Sequence, residues 1–281
     1  MSDDNVIEQH IEIKETGLSS IDVLSDATTL SKNIIKQTMA KGAVWLSRGK
    51  QTQRLRRANR KLHSGDTLHL YYNPDILALV PPEAHLIADE GEYSVWFKPC
   101  GLLSQGSKWS DHCTIARWVS QHLQPERPAF IVHRLDRAAT GLILVAHTKK
   151  ATTLLTELFQ QRKIKKTYEA IVHGRFPASP EVLTIKTPID EKPAISHSRL
   201  VKYSTERNCS LISIDIETGR KHQIRKHLSG SGFPILGDRL YSDEEHFNTD
   251  LQLSAVSLSF TCPIYHKPRQ YNLVNQLRPQ L

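Results

Sequence analysis

The stretch His133-Arg134-Leu135-Asp136-Arg137-Ala138-Ala139-Thr140-Gly141-Leu142-Ile143-Leu144-Val145-Ala146 sets one carboxylate between two arginines, directly ahead of a strongly apolar strand. Nearby positive charge favours the ionised form of Asp136. A carboxylate held ionised at a strand edge serves as nucleophile or base. A second segment, Glu217-Thr218-Gly219-Arg220-Lys221-His222-Gln223-Ile224-Arg225, follows a strand in which Ile212, Ile214 and Ile216 alternate, so its turn falls at the strand's end. A His-Arg-Leu-Asp tetrapeptide by itself reads as a solvated surface turn, because short motifs match by chance. Two polar, basic turns at strand ends suggest one shared site, and it is the order and number of companion segments that set the surface-turn reading aside.

The order of further segments strengthens that reading. Phe97-Lys98-Pro99-Cys100-Gly101-Leu102 precedes the Asp136 turn, and Lys166-Thr167-Tyr168-Glu169-Ala170 follows it. The run from Thr218 to Arg225 comes next, and then Gly237-Asp238 with Tyr241. With these motifs in this order, the chain resembles the RluA family of RNA pseudouridine synthases over roughly residues 89 to 281. The resemblance implies an isomerase that breaks the bond from uracil N1 to the ribose, turns the base and joins C5 to the same carbon. It implies Asp136 as the catalytic aspartate, which could attack the ribose C1′, attack uracil C6, or abstract a proton. These routes stay open.

The resemblance also assigns companions to Asp136. Arg225 matches the family arginine paired with the aspartate, where a bidentate guanidinium would hold the carboxylate ionised and aimed. Tyr168 matches the tyrosine of the family's Lys-x-Tyr-x-Ala strand, placed to stack on uracil and help move the C5 proton. Ile224 would wall the base pocket, and Lys166, on the face of Tyr168, would meet phosphate. Arg134 matches the arginine that helps displace a flipped nucleotide. His133 reads equally as a structural hydrogen-bonding residue or a participant. Ala139-Thr140-Gly141 and Arg220-Lys221-His222-Gln223 depart from the family's Thr-Ser-Gly and Arg-Thr-His-Gln, which leaves catalysis expected and the substrate open.

The implied chemistry needs no cofactor, and no metal-ligand cluster is visible. His222 and His227 are five apart, on different faces of a helix. Cys100, Cys113, Cys209 and Cys262 show no Cys-x-x-Cys spacing, against a zinc ribbon or disulfide framework. At 281 residues the chain accommodates one large and one small domain, and its net charge of +8 points to a polyanionic partner. The longest apolar run is far short of the roughly 20 residues that span a bilayer. The acidic start Met1-Ser2-Asp3-Asp4-Asn5 lacks a signal core, so the expected setting is the cytoplasm.

Along the chain, residues 1–13 read as a flexible arm, 14–75 as a compact unit, 76–88 as a proline-bearing linker, and 89–281 as the catalytic domain. In the compact unit Ser31 caps a helix carrying Ile34, Ile35 and Met39, with Gly42 as its stop. Strands over 43–46 and 67–72 follow, joined by a basic loop. This pattern resembles the S4 RNA-binding module. Up to the turn Ser64-Gly65-Asp66 that leads into the second strand, this loop carries Arg48, Lys50, Arg54, Arg56, Arg57, Arg60 and Lys61 without one acid, a set suited to neutralising phosphate. The remainder lacks the regular rhythm of a doubly wound fold, so an α+β class is expected. In it, helices flank a mixed, largely antiparallel sheet, beside a small N-terminal S4-like α/β domain.

The partner implied is RNA, ribosomal for preference and transfer RNA as the other possibility, with no membrane and no protein partner readable and a monomer as default. Two rivals stand beside the enzyme: a noncatalytic RNA-binding protein on the same fold, which would not need Asp136, Tyr168 and Arg225 together, and a carboxylate-dependent nucleoside or glycoside hydrolase, which usually needs a second acid.

Overall fold

Alternating apolar residues and capped helices build two compact units, seen in a computed structural model that describes residues 5–242 and 249–281. The first unit takes residues 1–81 together with 105–117. It contains β1 (Ile7–Glu12), α1 (Ser20–Ala27), α2 (Lys32–Ala40), β2 (Val44–Arg48), β3 (Gln51–Arg54), β4 (Thr67–Tyr72) and α3 (Pro74–Ala78). Its four strands pair in the order β1-β4-β2-β3. The Ser31 hydroxyl accepts the Ile34 N–H at 3.3 Å, so the expected cap starts α2, and Gly42 beyond its end has φ +79°. Leu24, Ile35, Met39, Leu46, Leu68 and Leu70 fill the space between helices and sheet.

Three expectations for this unit are corrected. Of the arm over 1–13, residues 1–4 lie outside the described residues, while Ile7–Glu12 is an edge strand running antiparallel to β4, with Ile7 opposite Tyr72 and Ile11 opposite Leu68. Ile7, Ile11 and Ile13 carry the period-two signal, weakened by the polar Gln9 between them. The linker over 76–88 holds the end of α3 and the start of the next strand. The catalytic segment is not continuous from 89, because residues 105–117 fold with the first unit. Asp111 explains this placement. Its carboxylate takes Arg54 Nε at 3.2 Å and Arg56 Nη2 at 2.5 Å, while Arg54 Nη2 donates to the Ser107 carbonyl at 2.7 Å.

The second unit comprises residues 82–104 and 118–281. It carries β5 (His85–Asp89), β6 (Tyr93–Lys98), β7 (Phe130–Ile131), β8 (Thr140–Ala146), α5 (Lys149–Gln160), β9 (Lys165–His173), β10 (Leu183–Ile185), β11 (Ser196–Ser204), β12 (Cys209–Ile216), α6 (Gln223–Gly230), β13 (Leu253–Thr261) and β14 (Pro268–Asn272), with α4 (Ile115–His122) crossing the boundary between the units. The sheet runs β10-β11-β12-β9-β13-β8-β6-β5, with β14 on β13 and β7 on β8. Every pairing is antiparallel except β13 with β8, so the expected mixed, largely antiparallel α+β architecture is what forms. Leu142 and Leu144 of β8 sit with Val256 and Leu258 of β13 and Leu155 of α5 in one apolar cluster.

The parallel contact places the Asp136 turn. Gly141 is at φ +117°, and a Cβ there would lie 2.3 Å from the Ala255 nitrogen, so glycine is required where β8 meets β13. Thus the strand after Asp136 reaches the middle of the sheet, next but one to β9. Among the described residues no helix is long and apolar enough to cross a membrane.

Replacing Asp111 by Asn should leave Arg54 and Arg56 without their shared charge and lower the stability of the first unit by about 2 kcal/mol, read by denaturant unfolding. An unchanged midpoint would show that this carboxylate does not hold residues 105–117.

Candidate active site

The turn between β7 and β8 is held from below by the segment that the Lys98-Pro99 motif supplies. Ser104 Oγ donates to the Leu135 carbonyl at 2.7 Å and receives the Leu135 N–H at 3.0 Å. The Arg137 carbonyl receives the Gly101 N–H at 2.9 Å and Lys98 Nζ at 3.3 Å. Lys98 is fully buried, and its ammonium also donates to the Pro99 and Leu102 carbonyls, each at 2.9 Å. Burial pulls this amine down to about 8, the charge of Asp136 acting the other way. Asp136 is thereby fixed between two anchored backbone positions.

His133 anchors the other flank. Its Nε2 accepts the Leu144 N–H at 2.9 Å and its ring stacks on Phe159 at 4.2 Å. Burial, aided by the Lys166 charge, pushes this imidazole down to about 3, so it is neutral and its Nε2 lone pair is engaged. Of the two roles open from sequence, this geometry carries the structural one.

A cleft of about 1060 Å³ opens above the turn, lined by His133, Arg134, Asp136, Lys166, Tyr168, Ile224 and Arg225. Tyr168 stands on β9, opposite Ile214 of β12 and Ala255 of β13. Burial and then the Asp136 charge raise its phenol, which keeps the hydroxyl protonated and able to donate. Burial lowers the Lys166 amine, whose Nζ lies 5.9 Å above the Phe159 ring. Ile224 is buried on the first turn of α6, and Arg134 is exposed at the rim.

Arg225 departs from expectation. Its fork is bidentate to Asp238, with Nε to Oδ2 at 2.8 Å and Nη2 to Oδ1 at 2.6 Å. Asp136 receives only the remaining Nη1, at 3.7 Å from Oδ2. The guanidinium is almost wholly buried, and a buried planar cation takes the carboxylate that satisfies two donors at once. Burial works against the Asp238 carboxylate, but hydrogen bonds from Arg225 and from the Leu240 and Tyr241 N–H groups outweigh it and hold it below the usual range. Sequence reasoning noted Gly237-Asp238 and Tyr241 as a motif without giving them a task. It also missed His222, whose Nε2 lies 3.8 Å from Asp136 Oδ1 and whose Nδ1 meets the Tyr241 hydroxyl at 2.9 Å.

The basic set of the first unit divides in two. Arg48 pairs bidentately with Asp66, at 2.8 and 2.6 Å, and Arg54 and Arg56 serve Asp111. Arg54 also lies 4.1 Å over the Trp45 ring. These three guanidinia are engaged within the chain, a correction to their reading as free phosphate ligands. Lys50, Arg57, Arg60 and Lys61 are exposed, and the last three border one shallow depression.

Asp238→Asn should destabilise the second unit by about 3 kcal/mol, since it strands the buried Arg225 charge, as denaturant unfolding will show. An Asn variant as stable as the parent would mean that the fork is not what holds this region.

Comparison with known proteins follows the same outline. Residues 92–230 match the family model described as RNA pseudouridylate synthase. The chain is 33% identical over 213 residues to the dual-specificity RNA pseudouridine synthase RluA of Escherichia coli O6:H1, covering 69% of this chain and 92% of that protein. It is 29% identical over 245 residues to the ribosomal large subunit pseudouridine synthase D of Buchnera aphidicola, covering 78% and 73%. The structure of human RNA pseudouridylate synthase domain containing 1 shares the fold, with a TM-score of 0.59 at 19% identity, covering 70% of this chain and 86% of that one. A chain with this sheet, this cleft and this degree of likeness belongs to the RluA family of RNA pseudouridine synthases, and it is an RNA-modifying isomerase.

Proposed function

We propose that this enzyme isomerises a uridine in structured ribosomal RNA, with the Asp136 carboxylate as the central reagent. The observation that carries this reading is the convergence of Asp136, Tyr168, Ile224 and Arg225 on one cleft from a turn, a strand and a helix start far apart in sequence. A target uridine leaves its stack to enter such a cleft, with Arg134 at the rim supporting the displaced strand. Ile224 packs against the base, the protonated Tyr168 hydroxyl can relay the C5 proton by passing its own proton on as it accepts the other, and Arg225 Nη1 steadies the carboxylate. Lys166 contacts phosphate. Ribosomal RNA is favoured over transfer RNA because a relative matched over most of its length carries the ribosomal large subunit in its name. The cytoplasm is the setting that substrate implies, and a monomer is the default reading.

The first unit is read as an S4-like RNA-binding module, with two helices against its small sheet and an exposed basic set of Lys50, Arg57, Arg60 and Lys61. Their positive charge releases counterions from the RNA backbone and adds affinity without naming a sequence.

Asp136→Asn is expected to lower pseudouridine formation by more than about 10²-fold while leaving RNA binding near the parent value. Chemical mapping of pseudouridine in cellular RNA with and without the protein names the target. Full activity in the Asn variant, or unchanged uridines at every position, would defeat the proposal. Converting Arg57, Arg60 and Lys61 together to Gln should reduce the slope of log affinity against log salt by roughly one for each phosphate left without its cation. A parallel salt titration with an unaltered slope would remove this face from the RNA interface.

A further inference from the structure

The two oxygens of Asp136 face different groups. Oδ2 looks toward Arg225 Nη1 at 3.7 Å, and Oδ1 looks toward His222 Nε2 at 3.8 Å. His222 is the residue before α6, and its backbone is left-handed, with φ 56° and ψ 26°. That conformation is disfavoured for a residue that carries a side chain. At this position it accompanies a ring that lines the cleft beside Asp136 rather than lying along the helix.

The ring is held on its far side. Its Nδ1 is 2.9 Å from the Tyr241 hydroxyl, and the two rings meet edge to face at 5.7 Å. Tyr241 in turn lies under the Arg225 guanidinium, 5.0 Å from it. The charged neighbours of the imidazole are the Asp136 carboxylate and three cations, Arg225, Lys221 and Lys226. Burial first, and these three cations after it, keep the imidazole below its ordinary value against the pull of Asp136, so it is neutral in the working range. A neutral imidazole has one N–H and one lone pair, and the partner of one nitrogen decides the state of the other. The tautomer that turns an N–H toward Asp136 carries its proton on Nε2, and it is the one that leaves Nδ1 free to accept the Tyr241 O–H.

We infer that Tyr241 and His222 form a positioning pair for the Asp136 carboxylate. Tyr241 sets the imidazole tautomer, and His222 Nε2–H, 3.8 Å from Oδ1, and Arg225 Nη1, 3.7 Å from Oδ2, flank the carboxylate and close to hydrogen-bonding distance as RNA enters the cleft, fixing its plane for the reaction. The same short turn supplies both controls, because Asp238 clamps Arg225 and Tyr241 clamps His222. Both members act on the reaction through Asp136. The inference rests on reading Asp136 as the reagent.

The test is a single-turnover assay of the full chain on RNA extracted from cells that lack the protein, with RNA affinity and thermal midpoint measured in parallel. His222→Asn tolerates the left-handed backbone but is too short to bridge Tyr241 and Asp136. It is expected to slow the reaction by roughly 10- to 100-fold, with affinity and thermal midpoint held. His222→Gln, whose amide nitrogen reaches as far as Nε2, should recover most of that loss. Tyr241→Phe should give a smaller loss that disappears in the His222→Asn background, the mark of two residues acting as one unit. The pair is overturned if His222→Asn works at the parental rate, or if the Asn and Gln variants are equally slow with lowered midpoints. An active Asp136→Asn enzyme would overturn the reading of the site itself, whereas an inactive one beside a fully active His222→Asn enzyme would remove only the pair.

Discussion

One buried guanidinium organises the candidate active site. Arg225 gives two of its three nitrogens to Asp238 and turns the third toward Asp136, so a single planar cation joins the 238–241 turn to the Asp136 turn. Unequal sharing suits the carboxylate proposed to react. A carboxylate locked in a bidentate pair would be satisfied and inert, whereas one approached at 3.7 Å by a fixed charge is oriented and still open to a substrate. The cost of burying Arg225 is offset by Asp238, which is itself held by backbone N–H groups of its own turn.

The backbone under Asp136 obeys the same matching of donors to acceptors. Lys98 is a buried ammonium whose hydrogen bonds go to three carbonyls. A buried charge is tolerated when its donors are all used, and here their use ties the 99–102 turn to the Arg137 carbonyl. Ser104 and His133 complete the anchoring through backbone groups of Leu135 and Leu144. A motif with no reacting group of its own therefore positions the carboxylate proposed to react.

Much of this was legible in the chain. The Ser31 cap, the β4 strand over 67–72, the apolar run of β8 and the helix after Lys149 each follow from local periodicity and capping, and each forms where expected within a few residues. Asp136, Tyr168, Ile224 and Arg225 stand out from motif order, and they share one cleft. What misleads is any inference about who pairs with whom. Arg54 and Arg56 belong to a run without acids, yet Asp111, more than fifty residues on, neutralises both. The β1 strand escapes notice because an edge strand needs only one half-buried face, and two isoleucines four apart give a faint alternation.

The sequence by itself determined the class of fold, the family and the residues that meet in the cleft, because period, caps and motif order are local properties of a chain. Only the tertiary structure decided how charges are shared: that Arg225 is clamped by Asp238, that His222 stands at Asp136 with Tyr241 behind it, and that residues 105–117 join the first unit. Electrostatic attraction depends on distance in space and on burial, and neither is written in spacing along the chain.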